Sequence, residues 1–255
     1  MTTVADILKF VETLAPRHMA ESWDNVGLLC GSKSAAVTKI LVALDPFEGV
    51  CQEAADIGAD LIVTHHPLIF QAPKSITDET SVGRSIMHLC RHGISAINAH
   101  TNLDVASGGV NDVLAGKLGL ENVRTIDPEG GLLRMGDVEE QTLELFLATV
   151  KEQLGCNGLR YVEGRKPVRK VAVGGGSCAS GMLEAIDAGC DTFVTSDIKY
   201  NQFWDAYDLG LNLIDAGHFC TENPVAAVLA EKLQAAFPEV TVKISETHRD
   251  CMKFY

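Results

Sequence analysis

The 255-residue sequence holds 8 cysteines but no C-x-x-C pair, which excludes zinc ribbons and thioredoxin-like redox motifs. No apolar run approaches the ~18–20 residues of a membrane span. The opening segment, MTTVADILKFVETLAPRH, lacks the basic start and continuous apolar stretch of a secretory leader. Basic residues are also scarce. Lys plus Arg is 21 against 34 for Asp plus Glu, a formal net charge of −13. That balance disfavours non-specific binding to duplex nucleic acid, which needs clustered cations. No low-complexity segment appears. At 46% hydrophobic and 22% charged, the composition is that of a globular chain and excludes disorder, collagen and coiled coil. The expectation is a soluble cytoplasmic protein with no membrane contact. Its thiols should be reduced and mostly buried.

What the chain does contain is a diverged internal repeat. EAADIGADLIVTHH (Glu53 to His66) and EAIDAGCDTFVTSD (Glu184 to Asp197) share seven of fourteen residues at an offset of 131, and KILV at Lys39 meets KVAV at Lys170. RHGISAINAHTNLD (Arg91 to Asp104) lines up with DLGLNLIDAGHFCTE (Asp208 to Glu222) at a slightly shorter offset. Short apolar runs such as ILVAL, LIVT, FVT and LNLID predict strands buried on both faces. Between them, Gly49 to Ile57 and Ser85 to Arg91 have helical spacing and stop near Gly58 and Gly93. Alternating strands and helices imply an α/β fold of two related lobes, each a mostly parallel sheet flanked by helices. The lobes are expected at 1–126 and 127–222, with IDPEGGLL (Ile126 to Leu133) as the linker. Residues 223–255 should supply a helix over Pro224 to Ala236 and a strand over Val240 to Ile244, packing back on the first lobe. Further helices are predicted from Val4 to Leu14 and from Glu140 to Leu154.

The polar residues of unusual placement all follow strands, where ligand sites of open α/β sheets lie. Thr64-His65-His66-Pro67 ends one strand, His100-Thr101-Asn102-Leu103-Asp104 the next, and His218-Phe219-Cys220-Thr221-Glu222 its counterpart in the second lobe. Imidazole with carboxylate suits Zn, Fe, Mn, Co or Ni. Five donors, His65, His66, Asp104, His218 and Glu222, exceed the need of one open tetrahedral ion. They suit two divalent ions with positions left for water. Adjacent His65 and His66 would face opposite ways in a strand, so a turn at Pro67 must bring them to one site. His18, His88, His92 and His248 read as ordinary surface or core residues.

WDNVGLLCG (Trp23 to Gly31), VTHHPLIF (Val63 to Phe70), NAHTNLD (Asn98 to Asp104), VAVGGGS (Val171 to Ser177) and IDAGHFCTE (Ile214 to Glu222) together resemble the Ngg1-interacting factor 3-like family, also named GTP cyclohydrolase I type 2 homologs. The resemblance spans nearly the whole chain and is to the short form, without the domain inserted between the halves. It implies a dinuclear centre in the cleft between two lobes. His66 and Asp104 would hold one ion, His65 and His218 the other, and Glu222 would bridge. It also implies a ring-shaped homohexamer built from dimers.

Several positions keep more than one reading. His100, the histidine of HTNLD, is either an acid/base group, a partner of a ligand or a residue that only orients its loop. Cys220 lies between two proposed ligands, with a buried structural thiol preferred. Gly174 to Gly176 lack the Lys-Ser/Thr of a P-loop, so close backbone approach beside the site is preferred to phosphate binding. Trp23 is a core anchor or a cleft wall, the former preferred. The second-lobe segment departs from the family at Ser196, Asp197 and Asn201, which would line the cleft and bear on substrate choice. Two functions compete. One is a hydrolase in which metal-activated water attacks a nucleotide-like or phosphoester small molecule. The other is a metal-binding regulatory or interaction protein without turnover.

Overall fold

A computed structural model describes residues 1–128 and 131–255. Two residues of the expected linker, 129–130, lie outside the described residues. The chain divides into two compact units, Met1–Ala106 with Val225–Arg249, and Ser107–Pro224 with Asp250–Tyr255.

The first unit runs α1 (Val4–Leu14), β1 (Gly27–Cys30), β2 (Lys39–Ala43), α2 (Glu48–Asp56), β3 (Leu61–Thr64), α3 (Ser81–His92), β4 (Ser95–Asn98) and α4 (Thr101–Val105). The second continues with α5 (Val110–Lys117), β5 (Glu121–Thr125), β6 (Arg134–Gln141), α6 (Leu143–Leu154), β7 (Arg160–Val162), β8 (Val168–Val173), α7 (Met182–Asp187), β9 (Thr192–Thr195), α8 (Tyr200–Leu209), β10 (Asn212–Asp215) and α9 (His218–Glu222). The chain then returns to the first unit through α10 (Pro224–Ala236) and β11 (Thr241–Ile244).

The first sheet has the order β1-β4-β3-β2-β11 and the second β5-β6-β8-β9-β10-β7. Each is built on three parallel strands from the repeat, and their registers coincide. Ile40 faces Leu61 in the first unit, and Val171 faces Thr192 in the second, both shifted by the repeat offset. One identical residue explains part of this. Asp60 accepts from the amides of Thr38 and Lys39 at 2.7 and 3.1 Å, and its counterpart Asp191 accepts from those of Arg169 and Lys170. Each carboxylate pins the start of the neighbouring strand to the turn entering its own. Gly58 and Gly189 precede these turns at φ +66° and +81°, a conformation open to glycine at no steric cost.

The parallel strands are buried on both faces. In the second unit Val171, Val173, Val194 and Ile214 join one apolar cluster with Phe146 of α6. The alternate residues Ala172, Phe193 and Leu213 join another with α7 and α8 residues. Period-two alternation sends neighbours to opposite faces, and here both faces are covered, so the runs read as continuously apolar.

Three features differ from the sequence expectation. The division between units falls at Ala106/Ser107, before α5 and β5, because β5 pairs with β6 in the second sheet. The second sheet is mixed: β6 and β7 join it antiparallel. Finally, α6 begins at Leu143, not Glu140, because β6 continues through Gln141 and Thr142 caps the helix, accepting from the Leu145 amide. The strand β11 pairs parallel with β2, which returns the C-terminal segment to the first sheet. Of the eight cysteines, five are buried and all are free thiols.

Replacing Asp191 by Ala removes charge-assisted bonds to two strand amides, each such bond contributing about 1–3 kcal/mol. The expected loss is of that order, read as a lower urea midpoint at unchanged slope. An unchanged midpoint would show that β8 needs no such pin.

Candidate metal-binding residues

In the first unit the chain bends directly after β3, so His65 and His66 lie beyond the strand and are not bound by its alternation. The His66 amide donates to the Leu44 carbonyl at 2.9 Å, and the Thr64 hydroxyl to the His66 carbonyl at 2.7 Å. The two rings end 4.8 Å apart at 45°. His100 follows β4 as the N-cap of α4. One nitrogen from each of His65, His66 and His100 lies within 4.8 Å of the others. His65 Nε2 lies 3.5 Å from Asp104 Oδ1, too long for a hydrogen bond. It matches the roughly 3.4 Å that separates two ligands on a tetrahedral ion with bonds of about 2.0–2.2 Å. The resemblance implies His66 as the ligand that shares an ion with Asp104.

In the second unit His218 is the first residue of α9 and Glu222 the last. The i, i+4 spacing stacks them on one helix face, with His218 Nε2 3.0 Å from Glu222 Oε2. The two halves are not in the same helical frame: His100 is an N-cap, whereas His218 lies inside its helix, after an N-cap Gly217.

Every one of these histidines is held through Nδ1 by an oxygen. His65 Nδ1 donates to the Ala99 carbonyl at 2.9 Å and His66 Nδ1 to Asp45 Oδ1 at 2.7 Å. His100 Nδ1 donates to Asp24 Oδ1 at 2.8 Å, and His218 Nδ1 to Asp197 Oδ2 at 2.7 Å. A carbonyl or carboxylate only accepts, so Nδ1 must carry the proton. The lone pair of the neutral ring is then on Nε2. This is the arrangement found behind metal-bound imidazoles, where the oxygen fixes ring orientation and raises basicity. It fits all four rings to a metal.

The supporting acids were mostly missed from sequence. Asp45 follows β2 as His66 follows β3, two residues past the strand end, so the rule that picked the histidines also applied to it. Asp24 lies in WDNVGLLCG and holds the start of α4: besides His100, the Thr101 amide and hydroxyl donate to its Oδ2 at 3.0 and 2.6 Å. Burial would push the Asp24 carboxyl up. The hydrogen bonds from His100 and Thr101, with the attraction of His100, overcome this and hold it well below the usual carboxylate range. Asp197, at φ +55°, occupies the repeat position of His66 and serves as the holder of His218.

His248, expected to be an ordinary surface or core residue, is a buried one: its Nε2 donates to Asp45 Oδ2 at 2.8 Å and its side chain is only 6% exposed. One expectation is corrected. Trp23 is not a core anchor. It is 59% exposed, its ring centroid 5.8 Å from Phe70 and 6.2 Å from His100, because Asp24 and Asn25 rather than the indole tie this loop down. The other preferred readings agree with the structure. Cys220 belongs to the apolar cluster around α6. The glycine run is pressed against the second-unit donors: a Cβ on Gly176 would stand 2.1 Å from Glu222 Oε1 and 3.0 Å from His218 Nε2. The hydroxyls of Thr195 and Ser196 both donate to the Gly176 carbonyl, and its amide donates to Thr221. Asn201 is exposed on α8.

Two tests follow from this geometry. Gly176→Ala meets both a left-handed backbone, at φ +61°, and the Glu222 carboxylate. It should destabilise the fold by on the order of 1–3 kcal/mol and weaken any metal held by Glu222; wild-type behaviour in both denaturation and metal titration would contradict the close approach. Asp24, with its depressed pKa, contributes stability fully above its unfolded value of about 3.9 and loses it as pH falls through the lower folded value. The stability gap between wild type and Asp24→Asn should therefore be widest near neutrality and close as pH drops below ~4. A gap that widened on acidification would refute the assignment.

Comparison with known proteins places the chain in a family. A Clostridium perfringens protein named GTP cyclohydrolase 1 type 2 homolog is 36% identical over 257 residues, covering 98% of each chain. A Bacillus cereus protein related to NIF3 has a solved structure that matches with a TM-score of 0.95 at 27% identity, covering 100% of this chain and 99% of that one. A Staphylococcus aureus structure matches at a TM-score of 0.90 and 30% identity with the same coverage. The model of one family, Duf34/NIF3 (NGG1p interacting factor 3), matches residues 2–251, and the chain belongs to that family.

Proposed function

We propose that this protein is a divalent-metal-dependent hydrolase with a dinuclear centre. His65, His66 and Asp104 of the first unit and His218 and Glu222 of the second would serve two ions, with Glu222 bridging and His65 sharing an ion with Asp104. The observation that supports this most directly is the commitment of Nδ1 to an oxygen in each histidine. In His65, His66 and His218 this puts the lone pair on Nε2, the tautomer that metal binding uses. Divalent ions at such a site lower the pKa of a water and share the charge that develops on an attacked carbon or phosphorus.

The chain's own residues then have distinct tasks. Asp45, Asp24 and Asp197 hold the rings. His100, clamped by Asp24, is the group placed to move a proton, and its ring lies 5.2 and 5.4 Å from those of His65 and His66. Trp23 and Phe70 give the surface beside His100 an apolar, aromatic wall. The substrate class suited to these features is nucleotide-like or a phosphoester. GTP is the first candidate to try, because that name is carried by the curated relatives. The homohexamer implied by the resemblance belongs to the same proposal and is read by light scattering.

Elemental analysis of wild type should return about two divalent ions per chain, and Glu222→Ala far fewer with the fold retained. A Glu222→Ala protein with its full metal content would remove Glu222 from the bridge. Wild type that stays metal-free after reconstitution with Mn, Fe or Zn would overturn the centre. His100→Ala should keep its metal and lose turnover by about 10²–10⁴-fold. Equal turnover would remove His100 from the chemistry, whereas metal-loaded wild type without turnover would leave the regulatory reading in its place.

A further inference from the structure

The C-terminal segment closes onto the first unit through a chain of bonds that the proposed chemistry does not by itself require. After β11, the Ser245 amide donates to the Val42 carbonyl at 2.8 Å, extending the ladder with β2. The chain then wraps one side chain, Glu53 of α2. The Ser245 hydroxyl donates to Glu53 Oε2. The Glu246 and Thr247 amides donate to the same carboxylate at 2.8 and 3.3 Å. Burial would push the Glu53 carboxyl up, but these bonds outweigh it and hold it below its ordinary value. The turn is completed by the His248 amide, which donates to Ser245 Oγ at 3.0 Å.

This clasp delivers one imidazole to one place. His248 Nε2 donates to Asp45 Oδ2 at 2.8 Å, while Asp45 Oδ1 accepts from His66 Nδ1 at 2.7 Å. Phe47 packs edge-on against the His248 ring at 5.9 Å. Asp45 and Phe47 belong to the short connection from β2 to α2, and Glu53 to α2 itself, so the clasp grips one β–α unit at both ends. A carboxylate with one oxygen on each of two rings cannot rotate without breaking a charge-assisted bond, and such bonds are the stronger class. Without the outer ring the Asp45 carboxylate has a single tether and can turn away from His66.

We infer that His248 is a positioning residue for the metal site: the C-terminal clasp, anchored on Glu53, sets the orientation of His66 through Asp45. This rests on the reading of His66 as a metal ligand. The tail is thereby a working part of the site, although it lies more than a hundred residues after every other first-unit element except α10 and β11.

The test uses the full chain and two readouts. Long-range ¹H–¹⁵N spectra of the imidazoles in metal-free protein should show His66 as a single Nδ1-protonated tautomer in wild type and as an averaging ring in His248→Ala. Titration with cobalt(II) alone should show affinity falling by about 10-fold or more in His248→Ala, the range seen when a partner behind a ligand is lost. His248→Gln keeps a donor and should recover most of the loss, which a role in packing alone would not produce. Glu53→Ala should reproduce the His248→Ala effect without touching Asp45, and it serves in its place if His248→Ala does not fold. An unaveraged His66 and unchanged cobalt affinity in folded His248→Ala would overturn the inference. If wild type takes up no cobalt, the metal reading itself falls, and the imidazole spectra still decide whether His248 holds His66.

Discussion

The site depends on one recurring interaction, a hydrogen bond from imidazole Nδ1 to an oxygen placed by the backbone. A histidine after a strand is by itself a flexible ring with two tautomers and several rotamers. An acceptor-only oxygen behind it removes both freedoms, because only the Nδ1-protonated form can donate there. The oxygens come from different sources: the Ala99 carbonyl for His65 and the carboxylates of Asp45, Asp24 and Asp197 for the others. Each comes from a loop after a strand or from the Trp23 loop, so each depends on the sheets for its place. Asp24 and Asp45 stay ionised despite burial because their hydrogen bonds outweigh desolvation.

The duplication explains why such oxygens are available. Two copies of a three-stranded parallel sheet present equivalent strand ends, and the strand-pinning carboxylates Asp60 and Asp191 keep their registers alike. With the scaffold conserved between halves, the loops were free to diverge. Where the first half has His66, the second has Asp197, so a ring position became a ring holder. Where the first has His100 as an N-cap, the second has Gly217 and moves its histidine one step into the helix. That step puts His218 and Glu222 on one helix face and lets the glycine run lie against both.

Legibility in the sequence followed burial. The central strands β2, β3, β8, β9 and β10 are covered on both faces, so their apolar runs were plain. The flanking strands β5 and β7 are largely exposed and carry no alternation that distinguishes them from loops. For the same reason the end of the first unit was placed too late, at the linker rather than at Ala106. The candidate ligands His65, His66, Asp104, His218 and Glu222 could be picked out because each lies shortly after a buried apolar strand. Trp23 misled because a large aromatic is usually core, and here the loop is fixed by Asp24 and Asn25 instead.

By itself the sequence determined the α/β class, the repeat, the parallel cores and the residue types that suit a metal. All of these are written in local spacing: runs of apolar residues, glycine stops and motifs of a few consecutive positions. Tertiary structure decided which oxygen stands behind each ring, that His65 Nε2 comes within 3.5 Å of Asp104 Oδ1, and that His248 reaches Asp45 from 203 residues away. Those facts are separations of about 3 Å between side chains from distant segments. No periodicity encodes them, because they depend on the folded path of every intervening residue and not on the character of the residues that meet.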